Sequence, residues 1–317
     1  MSSQIPVIGG AALREAVPLD AAVEAVSRAF IAHHRGEWTM PSKVYLGAYP
    51  AGDFRAMPAL GDGHAMLKWV TSFPGNPALG LQTVMALVIV SSALDGTPEA
   101  LLEGATVTAL RTGAAAVLAA ETLGRRDAAS AAVIGLGPNG QAAVQAFIAR
   151  GRTDVMVWDR DAAKAAAVAR ELGVTVAATL EEACAADLLV TVTPGHQILL
   201  DDDTLRPGQH VSLMGADGPG KAEISSAALA SASVFCDDWE QASHGGELAH
   251  AVEHGLLGRA DVRELGAVLA GDTAGRRRED EITAFDSTGL AIQDLAIAIL
   301  ALERLPEMAG VHTLDLS

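Results

Sequence analysis

The 317-residue sequence predicts an α/β protein: a Rossmann-type, doubly wound parallel sheet joined to an α+β domain with a mostly antiparallel sheet. Three observations carry this expectation. From Ala131 to Leu213, short apolar runs alternate with helical segments at the spacing of a parallel sheet. Gly135, Gly137 and Gly140 fall at the first strand-to-helix junction of that series. Between Trp38 and Gly96 the texture changes. Apolar stretches are broken there by glycines and by Pro41, Pro50, Pro58, Pro74 and Pro77, which suits antiparallel strands and turns. The length also exceeds what one core usually supports, so two domains are expected.

Taken in order, Asp20 reads as the N-cap of a first helix, with Val23, Val26, Phe30 and Ile31 as its apolar face and Gly36 as its stop. Val84 to Val90 is a fully apolar run; it reads as a buried strand and is far too short to cross a bilayer. Thr106 to Gly124 is alanine-rich and helical. Strands follow at Ala131–Ile134, Asp154–Trp158, Val174–Ala177, Leu188–Val192 and His210–Leu213, with helices at Gly140–Arg150, Ala162–Leu172 and Leu180–Ala185 between them. A last helix, from about Leu290 to Leu305, is apolar on most faces and is expected between domains or at a subunit interface.

Composition narrows the function classes. Acidic side chains number 39 against 22 basic ones, a net charge of −17 that repels nucleic-acid backbones and anionic membranes. Charged residues make up only 19% of the chain, too few for a halophile's acid-loaded surface. Cys184 and Cys236 form no close motif and fit reduced structural thiols. The opening Met1-Ser-Ser-Gln-Ile-Pro6 lacks the basic and apolar regions of a leader, so a cytoplasmic location is the expectation.

The glycine motif points to a dinucleotide. Its first glycine permits the tight turn, its second lets backbone approach a pyrophosphate, and its third lets helix pack on strand. Pro138 and Asn139 complete the loop. Asp159, 24 positions after Gly135, ends the next strand, where a carboxylate accepts ribose hydroxyls and repels a 2′-phosphate, favouring NAD. Arg160 beside it partly offsets that repulsion. Val190-Thr-Val-Thr-Pro194 places Thr193 and Pro194 at the carboxyl edge of the sheet, a second candidate cofactor contact.

Hydride chemistry asks the protein for a carboxylate anchor and a proton-transfer group. Lys68, inside the apolar stretch His64-Ala-Met-Leu-Lys-Trp-Val70, is either a buried acid–base group or a lysine whose head snorkels to water. Trp69 beside it reads as core packing. Arg111, where a helix is expected to begin, can fork onto a carboxylate or form a surface ion pair. Asp217 follows the strand ending at Leu213, either as a catalytic group or as a turn aspartate. Glu247, His250 and His254 share helical spacing but lack a zinc-site order, so they read as an exposed, hydrogen-bonded helix face, and no metal is expected.

Longer blocks then carry a resemblance. Met40-Pro-Ser-Lys-Val-Tyr-Leu46, Gly52-Asp-Phe-Arg-Ala-Met-Pro-Ala-Leu60, Leu67-Lys-Trp-Val70 and Pro74-Gly-Asn-Pro77 are similar to the N-terminal half of the ornithine cyclodeaminase/mu-crystallin family, most closely its archaeal-type alanine dehydrogenase branch. Arg111-Thr-Gly-Ala-Ala115, Gly215-Ala-Asp-Gly-Pro-Gly-Lys221 and Phe285-Asp-Ser-Thr-Gly-Leu-Ala-Ile-Gln-Asp294 continue it over nearly the whole chain. The resemblance implies that Lys68 and Asp217 are catalytic, and that Arg111, Lys43, Arg55 and Thr83 bind substrate. It also implies that Thr112, Lys221 and Ser287 join the Asp159 region and the glycine loop around NAD. Lys43 stands where cyclodeaminases carry an arginine, and it offers a point charge in place of a fork. Asn139 stands near where many relatives have a glutamine.

The domain division that follows is 1–112 with 292–317 for substrate and dimerisation, and 113–291 for NAD. The activity implied is oxidative deamination of L-alanine to pyruvate and ammonia and its reverse, with an amino acid or 2-oxo acid as the small-molecule partner and a homodimer built through the first domain and the last helix. A cyclodeaminase, a ketimine reductase, another amino-acid dehydrogenase and a crystallin-like binding protein are the alternatives.

Overall fold

The computed structural model describes residues 4–218 and 220–316, so the opening tripeptide and Pro219 of the Gly215–Lys221 loop lie outside the described residues. The chain runs β1 (Gln4–Ile8), α1 (Gly10–Ala16), α2 (Leu19–His34), β2 (Val44–Ala48), β3 (Gly52–Gly61), β4 (His64–Ser72), β5 (Val84–Ser92), β6 (Pro98–Glu103) and α3 (Gly104–Leu123). It continues through β7 (Ala131–Ile134), α4 (Pro138–Ala149), β8 (Val155–Trp158), α5 (Ala162–Leu172), β9 (Thr175–Val176), α6 (Leu180–Cys184), β10 (Leu188–Thr191) and β11 (His210–Leu213). Then follow α7 (Ser226–Ser231), β12 (Ser233–Cys236), α8 (Trp239–Gly245), α9 (Leu248–Glu253), β13 (Val262–Glu264), α10 (Leu265–Leu269), β14 (Thr283–Asp286), α11 (Ala291–Arg304) and β15 (His312–Asp315). Two units result: one holds the chain through Arg111 and again from Leu290, the other holds Thr112–Gly289.

The first unit is built on a seven-stranded sheet of order β15-β1-β6-β5-β4-β3-β2, antiparallel except for the β1–β6 pair. Strand alternation sorts its side chains. Arg55, Met57, Ala59, Met66, Lys68, Val70, Val88 and Val90 face inward and are buried, with Met57 opposite Lys68 and Lys68 opposite Val88. Against β3 and β4 packs α11, which also packs on the alanine-lined face of α2. Every residue from Ala291 to Ala301 is buried.

Several expectations are corrected in the same unit. Val84–Val90 is not a buried strand: Val84, Met85, Leu87 and Ile89 are exposed, because only one face of the sheet is covered by helices. Trp69 likewise points outward, 38% exposed, and stacks on Phe54 with centroids 5.6 Å apart. Asp20 lies in the first turn of α2 and not at its N-cap, which is Pro18. There the carboxylate meets the positive end of the helix dipole. Arg111 sits well inside α3, whose start at Gly104 is capped by Glu103: its carboxylate accepts from Ala105 and Thr106 N–H at 2.8 Å each.

The second unit carries an eight-stranded sheet of order β13-β12-β14-β11-β10-β7-β8-β9, parallel throughout. β7, β10, β11 and β14 are buried along their whole length, as strands covered on both faces must be. From β7 the chain winds one way to β8 and β9, then returns to β10 and winds the other way. The carboxyl ends of β7 and β10 are therefore the switch point, where a ligand crevice opens in such sheets. Cys184 and Cys236 are free and buried, and burial pushes the Cys184 thiol up to about 11.

Candidate active site

In the second unit the switch point is lined by the glycine turn. Gly135 has φ +93°, and a Cβ there would come 2.7 Å from the Val192 carbonyl oxygen at the end of β10. A Cβ at Gly140 would collide with the Gly135 carbonyl, so the third glycine lets α4 sit against the turn. Gly137 differs. It is the N-cap of α4, and a Cβ there meets nothing within 4 Å, leaving open space before the helix N-terminus. Pro138 occupies the first helical turn, and Asn139 is half-buried behind it.

Asp159 follows β8. Its carboxylate accepts from Leu136 N–H at 2.8 Å, from Asp161 N–H at 3.0 Å and from the Lys164 ammonium at 2.9 Å. Partial burial opposes its charge, but Lys164 and the two N–H donors outweigh that and hold the carboxyl below its ordinary range. Arg160 is exposed beside it. Lys164, at helical position three of α5, had no sequence signal beyond its nearness to Asp159.

Across the switch point, Glu223 ties two strand ends together. Its buried carboxylate accepts from Thr191 hydroxyl (2.7 Å), Thr193 N–H (2.7 Å) and Gly215 N–H (3.0 Å). Burial pushes its carboxyl up. Glu247 is not on an exposed face: it is buried and accepts from Glu223 and Ile224 N–H, because the loop before α9 turns inward to cap that segment. Burial, with the Asp286 and Glu223 charges nearby, pushes it up to about 9. The His254 ring bonds the His250 carbonyl at 2.7 Å.

Of the remaining expected residues here, Asp217 lies on the loop after β11 and pairs with Lys221 at 2.5 Å. Pro194 is exposed. The Ser287 hydroxyl donates to Asp237 at 3.1 Å, and Asp237 also accepts from Gly289 N–H at 2.8 Å, fixing the segment after β14. The Thr112 hydroxyl is buried with no hydrogen-bond partner among the described residues.

In the first unit, Lys68 is 1% exposed, so its head does not snorkel to water. Its Nζ donates to Asp294 Oδ1 at 2.9 Å. Arg111 Nε stands 3.5 Å from the same oxygen, and another Arg111 nitrogen donates to Gln293 Oε1 at 3.2 Å. Arg55 Nε pairs with Asp53 at 2.6 Å, and the guanidinium lies over the Tyr45 ring at 5.2 Å. Burial pushes the Lys68 amine down to about 8; Asp294 opposes this, while Arg111 and Arg55 add to it.

Among the described residues, Lys68, Arg111 and Arg55 stand against Asp294 and Asp53, a buried group in which cations outnumber these carboxylates. Lys43 is half-buried just before β2. Thr83 is not brought to this group, because it is level with Phe73, five residues along β4 from Lys68 and roughly 16 Å away at strand rise. Asp294 and Asp53 went unread as site residues. Their signals were a carboxylate in the first turn of an apolar helix, and an acid two positions from Arg55.

A turn that requires glycine at Gly135 and Gly140, at the switch point of a parallel sheet and followed by a paired aspartate, defines a dinucleotide-binding class of α/β protein. A profile of the ornithine cyclodeaminase/mu-crystallin family matches residues 10–308, and the chain belongs to that family. It is 42% identical to the alanine dehydrogenase of Archaeoglobus fulgidus over 295 residues, 90% of this chain and 91% of that one. Among solved structures, an archaeal alanine dehydrogenase dimer with bound NAD superposes with a TM-score of 0.92 at 38% identity, covering 99% of this chain and 100% of the other. The Thermococcus litoralis Δ1-pyrroline-2-carboxylate reductase, in complex with NADH and L-proline, gives 0.90 at 26% identity, covering 96% and 100%.

Proposed function

We propose that the chain is an NAD-dependent amino-acid dehydrogenase that oxidises L-alanine to pyruvate and ammonia and runs the reverse reductive amination. The observation that carries this reading is the buried group of Lys68, Arg111 and Arg55, cations of the kind that bind a carboxylate. The 42% identity to an alanine dehydrogenase supports alanine in particular.

NAD fits the second unit, where a pyrophosphate has open space before the N-terminus of α4 at Gly137 and a Thr112 hydroxyl with no partner among the described residues. Gly135, Gly137, Pro138, Asn139, Gly140, Thr112, Thr193 and Asp159 would hold it, with Asp159 on the adenosine ribose. When bound, NAD accepts the hydride from the amino-acid Cα and returns it in the reverse direction.

The chain's own groups do the rest. Arg111 and Arg55 anchor the substrate carboxylate by charge. Lys68 holds or releases a proton at Nζ near its titration midpoint of about 8, where an acid–base group is effective in either direction. Asp217 takes a proton from the water that adds to the 2-imino carbon. The resulting carbinolamine expels ammonia and leaves the 2-oxo acid. Lys221, paired with Asp217, keeps that carboxylate oriented.

The test is absorbance of reduced nicotinamide with purified protein, NAD and L-alanine, alongside pyruvate, ammonium and NADH. Turnover in both directions is expected. Silence with alanine but oxidation of NADH by Δ1-pyrroline-2-carboxylate would transfer the assignment to cyclic-imine reduction.

A homodimer is part of the same reading. Leu46, Trp69, Met85, Leu87 and Ile89 are all exposed on the first unit's sheet, an apolar expanse that monomers rarely leave open. Leu87→Asp is expected to halve the mass measured by light scattering; an unchanged mass would move the contact elsewhere. Among the described residues no helix is long and apolar enough to cross a membrane.

A further inference from the structure

We propose that Asp294 is the positioning residue of Lys68: a buried carboxylate that fixes Nζ on the inner face of the sheet and supplies its counter-charge. This rests on the proton-handling role assigned to Lys68 above. The two residues are 226 positions apart, and α11 brings them together by packing on β4. A carboxylate in the first turn of α11 is favoured there by the helix dipole.

Every element packed around Lys68 contributes. From β3 comes Arg55 with Asp53, from α3 comes Arg111, from β5 comes the uncharged Val88, and from α11 comes Asp294. Asp294 is thus the anion that bonds this ammonium, while two guanidiniums repel it. A lysine stem of four methylenes would otherwise swing away from both cations.

A purely structural pairing is a poor explanation. Buried ion pairs seldom stabilise more than apolar residues of equal volume. Asp294 moreover keeps its second oxygen buried with no hydrogen bond from the described residues, a cost that a stability role gives no reason to bear.

The chain has only four lysines, Lys43, Lys68, Lys164 and Lys221, so lysine labelled with carbon-13 at Cε gives a spectrum simple enough to titrate each amine. The Lys68 signal is identified by its loss in Lys68→Arg. In the wild-type protein its midpoint is expected near about 8. Asp294→Asn, nearly isosteric but neutral, should lower that midpoint by about one pH unit or more and carry the matching limb of the kcat/KM profile with it. A midpoint unmoved in the folded variant would overturn the proposal.

Asp294→Glu keeps the charge and displaces the amine, so its midpoint should hold while kcat falls about tenfold or more. Wild-type kcat in this variant would overturn the positioning role, whether or not the asparagine variant folds. The titration needs no substrate. A protein inactive on alanine whose Lys68 midpoint still follows Asp294 would lose its assigned reaction and keep this assignment.

Discussion

Replacing Lys68 by alanine is expected to lower kcat/KM by roughly 10²- to 10⁴-fold in both directions, the range that a positioned acid–base group supplies. NADH affinity should stay within about threefold of wild type, since the glycine turn and Asp159 belong to the other unit. The sign of the pH dependence follows from a midpoint of about 8 in the folded protein. Reductive amination draws on the ammonium form, so its kcat/KM should fall as pH rises through about 8. Oxidative deamination draws on the free amine and should rise through the same region.

Lys68→Arg separates charge from proton transfer. An arginine stays protonated across the whole range, so the break near 8 should vanish in both directions while carboxylate binding survives. Stopped-flow rates against pH, with NADH titration by fluorescence, decide the matter. Near-wild-type turnover in Lys68→Ala would remove Lys68 from the reaction.

The chain does not declare Lys68 evenly. That a cation sits inside an apolar stretch is plain, but His64 to Val70 shows no polar alternation, so inward and outward positions cannot be told apart. Met66 and Val70 take the helix-covered face, Lys68 goes with them, and Trp69 is left outside. The partner is hidden for another reason. Asp294 lies at the far end of the chain, and no local pattern announces a contact over 226 positions.

The parallel sheet was more legible. β7, β8, β10 and β11 are apolar runs, the first three separated by helices, and each signal is confined to a few neighbouring residues. β12, β13 and β14 went unread because turns, helices of five to seven residues and strands of three or four leave too little periodicity. β1, β6 and β15 depend on pairing between distant segments, as when Val7 meets Leu101 and Gln4 meets Asp315. The apolar character of α11 is plain in the sequence, but its neighbours within the first unit are not. Only the packed structure shows that it lies against α2, β3 and β4.

The glycine turn offers the second large effect, and its strength lies in a contrast between two neighbouring positions. In Gly140→Ala the new methyl would strike the Gly135 carbonyl, which is backbone and cannot rotate away. The helix must retreat from the turn, and overpacking of this kind costs about 1–3 kcal/mol or more. A thermal midpoint lower by several degrees is expected, together with lost cofactor binding.

In Gly137→Ala the methyl meets nothing within 4 Å and φ is −64°, a conformation alanine accepts freely. The melting temperature should therefore be unchanged. If the space before α4 is where a pyrophosphate lies, that methyl occupies it, and NADH affinity should fall by roughly 10- to 100-fold, in line with overpacking at a close backbone approach. Calorimetric melting beside fluorescence titration of NADH reads both quantities. Loss of stability in Gly140→Ala together with loss of binding alone in Gly137→Ala would tie the third glycine to the fold and the second to the ligand. Wild-type affinity in Gly137→Ala would mean that the dinucleotide does not cross this turn, and the assignment of Gly135, Gly137 and Gly140 to NAD would have to be withdrawn.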